Sequence, residues 1–142
     1  MNPVLILYPM AALAALTFLV VMLIGFTRFR AGRRRLIRAN DFKFGESDNV
    51  PGEVSIPNRN FMNLLELPVL FYVACLTFYV TKTADQAALW IAWSYVVLRL
   101  IHSAIHLSYN NVYHRLSAYT VSNVALVTLW VVLFAALARQ AG

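Results

Sequence analysis

The chain of 142 residues has the length of one domain, yet 61% of it is hydrophobic, only 13% is charged, and its formal net charge is +6. A soluble domain near this size buries about 70% of its unfolded surface and cannot hide so much apolar side chain. With only five Gly, five Pro and one Cys, collagen-like, disordered and disulfide-framed classes are excluded as well, and the composition is that of an integral membrane protein.

The predicted elements, in chain order, are four apolar spans. Crossing a hydrocarbon layer takes about 20 mostly apolar residues. The first run, Val4 to Thr27, carries no charge and is closed by Arg28. No Lys or Arg precedes it and it exceeds the length of a signal-peptide core, so it reads as a span. Its alanines (Ala11, Ala12, Ala14 and Ala15) are expected to form a close-packing surface. A long basic connection, about Arg28 to Asn60, follows, in which Gly45, Pro51, Gly52 and Pro57 are expected to interrupt regular structure. The second span is predicted from Phe61 to Val80, the third from Ala87 to Leu107 and the fourth from Ala118 to Ala138. Thr81–Gln86 and Ser108–Ser117 are long enough only for turns, so the expected fold is a single all-α domain, an up-down four-helix membrane bundle. Cys75, alone inside an apolar run, reads as a packing residue. Trp90 and Trp93 read as part of an interfacial aromatic belt.

Orientation follows from the basic residues. Eight of the twelve Lys and Arg (Arg28, Arg30, Arg33, Arg34, Arg35, Arg38, Lys43 and Arg59) lie in the first connection. The positive-inside rule places that connection in the cytoplasm and, with four spans, both termini on the opposite side. The Arg28–Arg38 cluster is read as a topology signal in contact with lipid headgroups rather than as a nucleic-acid site.

Ionisable groups inside spans are costly and need an account. Arg59, Asn63 and Glu66 recur at spacings of four and three, which puts them on one face of the second span. Arg99, His102 and His106 do the same on the third. At 1.5 Å per residue Glu66 and Arg99 lie roughly 9 Å and 12 Å from the same membrane surface, and Tyr113, Arg115 and Tyr119 open the fourth helix at that level. Two polar faces are therefore expected to converge in the cytoplasmic half of the bundle. Several readings fit such a set. It can be interhelical glue, with Glu66 and Arg99 paired to fix register. It can be a positive-rich pocket for an anionic or zwitterionic ligand, because arginines clamp carboxylates and a carboxylate accepts an ammonium. His102 and His106, four apart, also suit a metal or haem, although no Cys or second carboxylate is placed to complete a zinc shell. Proton-coupled transport needs a polar path into the outer half and broken helices, neither of which is read here.

The stretch Arg59-Asn60-Phe61-Met62-Asn63-Leu64-Leu65-Glu66-Leu67-Pro68 resembles the second-helix signature of the membrane-associated proteins in eicosanoid and glutathione metabolism, the MAPEG family. Arg99 through His106 is similar to that family's Arg-x-x-His/Tyr-x-x-x-Tyr stretch, Arg115 and Tyr119 match the pair that opens its fourth helix, and Arg28 and Arg30 resemble its basic exit from helix one. The resemblance runs through essentially the whole chain. It implies a homotrimer in the membrane, with glutathione as co-substrate between adjacent subunits. It further implies that Arg59, Asn63, Glu66, Arg99, His102 and Tyr119 contact glutathione, with Arg28 helping from helix one. His106, standing where the family has Tyr, is grouped with them. Arg115 would hold the thiol as thiolate, and a hydrophobic small-molecule substrate would arrive through the lipid. The implied activity is that of a glutathione transferase or peroxidase; the alternative is a non-catalytic membrane protein of the same fold. Pro68 follows Glu66 by two residues where some branches have three. Leu116 follows Arg115 where the prostaglandin-synthase branch carries Ser, which argues against that isomerase reaction here.

Overall fold

The computed structural model describes residues 2–142. A short 3₁₀ turn, Pro3–Ile6, leads into α1 (Leu7–Arg33). The chain then forms α2 (Gly52–Leu65), α3 (Pro68–Thr81), α4 (Gln86–Leu107) and α5 (Val112–Ala141). Four helical stretches are long and apolar enough to cross a membrane, with α2 and α3 together making the second. Among the described residues there is no strand, only an isolated bridge between Lys43 and Gly45. The protein is a multi-pass, all-α membrane bundle.

Three boundaries differ from the sequence reading, each for a local reason. The first connection is shorter than Arg28–Asn60, because α1 continues to Arg33 and α2 begins at Gly52. Gly52 opens a helix rather than breaking one. Pro57 sits inside α2, where its missing N–H leaves only the carbonyl of Glu53, in the helix's first turn, without its bond. The fourth helix begins at Val112, six residues before Ala118. Asn111 caps it, its side-chain oxygen accepting from the backbone N–H groups of Tyr113 (3.0 Å) and His114 (3.1 Å). The third difference is that the second span is not continuous. Pro68 has no N–H to offer the carbonyl of Leu64, and its ring would clash there. Glu66 takes up the change in direction at ψ −105°, and Pro68 becomes the first residue of α3.

α4 packs most extensively on α5, and α1 lies against α2 and α4. Small residues let the backbones approach closely: Ala74 and Cys75 of α3 and Ala88 and Ala92 of α4 are fully buried. Phe71 stacks on Tyr95 with ring centroids 4.6 Å apart. Of the alanines of α1, Ala12 packs against the core and Ala14 is half-buried. Pro9, Leu13, Leu16, Val20 and Ala31 are its buried residues, while Ala11 and Ala15 are exposed in the single chain. Trp90 and Trp93 point outward near the start of α4, as interfacial residues do.

Candidate functional site

Asn63, His102, Val112, Arg115, Leu116 and Tyr119 surround an open pocket of about 210 Å³. Its polar members come from the three elements that the sequence spacing aimed at one another: Asn63 from α2, His102 from α4, Arg115 and Tyr119 from the first turns of α5. Leu116 and Tyr119 also belong to a neighbouring groove of about 400 Å³, which continues along α5 past Thr120, Asn123, Val124, Val127 and Thr128. A polar recess thus adjoins a mainly apolar groove along the surface of α5.

Arg115 is held from the α4–α5 turn. Its Nη1 donates to the side-chain oxygen of Asn110 at 2.8 Å and lies 3.5 Å from Nε2 of His106. Asn110 closes α4 with φ +48°, a left-handed conformation that Asn tolerates better than most residues, and its N–H donates to the carbonyl of Ile105 at 2.8 Å. His106 is buried, with its ring edge-on to that of His102 at 5.9 Å. The ring of Tyr119 lies 5.7 Å from His102. Among the described residues no group of three His, Cys, Asp or Glu side chains converges as a metal site would require.

Arg99 is fully buried behind the pocket. Its guanidinium sits 5.5 Å from the centre of the Tyr119 ring and donates through Nη2 to the backbone carbonyl of Asn63. That carbonyl belongs to the last turn of α2, where the chain break leaves acceptors without their usual helical donors. Arg99 therefore caps the interrupted helix, and a cation is also favoured at a helix C-terminus by the dipole. One acceptor freed by the break is thus covered. Arg99 makes no ion pair with Glu66, and the ion pair found among the described residues is Arg28–Glu46.

Not every expected residue joins the cluster. Arg28 donates to Glu46 at 2.9 Å and lies 4.5 Å over the Phe42 ring, so the connection after α1 engages it instead of the pocket. Arg59 and Glu66 point outward from the single chain. Arg99 and His106 lie behind the cavity wall rather than lining it. Sequence reasoning missed Asn110, which orients Arg115, and the pair Asn60–Ser103. Ser103 Oγ lies 3.3 Å from the side-chain oxygen of fully buried Asn60 and ties α2 to α4 beside the pocket. Asn60 lies three residues before Asn63, and Ser103 immediately follows His102. That adjacency was the available signal.

Neither the curated proteins nor the solved structures contain a match to this chain. Among protein families, the MAPEG family matches residues 6–135, which takes in α1 to α4, most of α5 and every residue of the pocket. The chain belongs to the MAPEG family.

Proposed function

We propose that the chain is a glutathione-dependent membrane transferase or peroxidase that acts on lipophilic electrophiles or lipid hydroperoxides. One observation carries this reading: Arg115, held by Asn110, sits on the wall of a polar pocket that adjoins an apolar groove along α5, the side from which a lipid-dissolved substrate would enter. A guanidinium beside a bound thiol favours the thiolate, which is the nucleophile. With an electrophile the sulfur forms a bond to the electrophilic carbon while the leaving group departs with the electron pair. With a hydroperoxide it attacks the terminal oxygen, the alkoxide departs and takes up a proton, and a second glutathione thiol converts the resulting sulfenic acid to disulfide and water. In this scheme Arg115 is the catalytic residue; Asn63, His102 and Tyr119 contact the tripeptide, and Arg99 and His106 position the residues in front of them.

The single chain supplies only part of such a site. Ligand pockets span about 300–1,000 Å³, and this one is smaller. Glu66, moreover, would face hydrocarbon as an exposed carboxylate. A second subunit covering Arg59, Glu66 and the open side of the pocket answers both, which supports a homotrimer; Arg28 of a neighbouring copy would contribute only by leaving its ion pair with Glu46. The basic connection Arg34–Pro51 would lie on the cytoplasmic side.

Purified protein given millimolar glutathione and a chromogenic electrophile is expected to turn over and to melt at a higher temperature than without glutathione. The second reading, a non-catalytic membrane protein of the same fold, is favoured by Arg99 and Asn60–Ser103, which act as glue between helices. Absence of both turnover and thermal stabilisation would establish it.

The Asn110 contact makes a narrower prediction. Asn110→Gly keeps the left-handed turn and removes the oxygen that Arg115 donates to, so turnover should fall about tenfold with melting unchanged. Asn110→Ala should lose the same activity and, in addition, melt lower, because Ala has the Cβ but not the short polar side chain that lets Asn adopt φ +48°. Full activity in the Gly variant would reduce Asn110 to a turn residue.

A further inference from the structure

The last turns of α1 carry a feature that the glutathione reading does not use. Phe26, Phe29, Arg30, Arg33 and Arg34 enclose an open recess of about 420 Å³ at the basic end of the helix. Phe26 and Phe29 are 60% and 68% exposed, one helical turn on the membrane side of the arginines. Among the described residues, none of these three guanidinium groups has a carboxylate within 4 Å; the one ion pair takes Arg28. Arg30 and Arg34 also border a smaller groove of about 110 Å³ between α1 and α2, whose wall includes Thr27, Leu36, Val54 and one carboxylate, Glu53, which forms no ion pair with either arginine. Capping of α1 does not account for three cations, because a helix C-terminus presents only about half a negative charge.

We infer that this recess is a binding site for one anionic glycerophospholipid, its phosphodiester held by Arg30, Arg33 and Arg34 and its acyl chains laid along Phe26 and Phe29. The chemistry follows from the arrangement. Guanidinium forks match phosphate oxygens bidentately. Three converging cations attract a net negative headgroup and repel the choline of a zwitterionic one. Apolar rings sit where acyl chains would continue toward the hydrocarbon. A nucleic acid would have no use for that apolar floor. The wall of the recess contains no carboxylate.

The test uses the full chain in vesicles of equal phosphatidylglycerol and phosphatidylcholine, extracted gently, with the retained lipid quantified by mass spectrometry. Phosphatidylglycerol is expected to be retained about tenfold over phosphatidylcholine. The combined Arg30→Gln, Arg33→Gln and Arg34→Gln variant should fall to near parity. A control with the same loss of charge nearby (Arg35→Gln, Arg38→Gln and Lys43→Gln) should keep the preference. Equal loss in both variants overturns the site, leaving only diffuse attraction to the surface. Displacement of the lipid by millimolar inorganic phosphate would mean a free-anion site and also overturns it. So does a change in oligomeric mass with lipid retention unaltered, which would make this face an interface between copies. All six altered residues are exposed and melting of both variants should match the wild type. Retention of lipid is read independently of turnover, so failure of the glutathione reading leaves this result intact.

Discussion

Replacing Arg115 by Ala should lower kcat/KM for conjugation of glutathione by about 100- to 1000-fold, the scale seen when one group that stabilises a reacting anion is removed. The pH dependence fixes the cause. An adjacent cation lowers a thiol's pKa because it favours the charged form, so wild-type turnover should level off below the value of about 8.5 typical of a free thiol. Without the cation the thiol titrates near its ordinary value, and the variant's rate should keep rising through that range. Arg115→Lys should fall between the two. It retains the charge, but a single ammonium cannot reach the Asn110 oxygen with the same planar fork. Pre-steady-state thiolate absorbance in the ultraviolet checks the same point without turnover. Equal rates for Arg115→Ala and wild type at neutral pH would remove Arg115 from the chemistry.

Arg99→Met is expected to destabilise the folded protein by about 2–3 kcal/mol, measured by thermal or denaturant unfolding in bicelles. About 1–3 kcal/mol comes from leaving the partly buried Asn63 carbonyl without a donor. Roughly 1 kcal/mol comes from the lost face-on contact with Tyr119. The methionine fills much of the volume, so the loss reports the polar contact rather than a cavity. Removing a buried cation offsets part of this. Two readings of Arg99 separate here. A residue that caps α2 lowers stability when removed and weakens glutathione binding only through Asn63. A direct ligand would raise KM and leave the melting temperature unchanged without glutathione. Asn63→Ala supplies the control, because it deletes the amide and keeps the carbonyl. The stability loss from Arg99→Met should therefore persist in that background.

The shape of the site was partly visible in residue spacing. Asn63, Arg99, His102 and His106 were placed by helical periodicity, which depends only on 3.6 residues per turn and on the short connections that force antiparallel neighbours. Arg59 and Glu66 obey the same periodicity and yet stay outside. Pro68 breaks the second span just after Glu66, and the chain leaves the helical path there. Arg28 has the right sequence neighbourhood but meets Glu46, eighteen residues later, and no periodic rule connects two residues across an irregular connection. The start of α5 was misjudged because hydropathy sees where apolar residues begin, whereas the helix begins at its cap, Asn111.

Composition alone determined that the chain crosses a membrane, since hydrocarbon selects apolar helices whose backbones satisfy themselves. Local patterns determined how many times it crosses and which residues were candidates for chemistry. Only the tertiary structure decided which candidates meet. It gave the freed α2 carbonyl to Arg99, set Asn110 behind Arg115, and joined the polar pocket to the apolar groove along α5. Those outcomes depend on how one helix end is capped and how two turns close, and such contacts are fixed by partners distant in the chain, to which the spacing of residues along one helix carries no information.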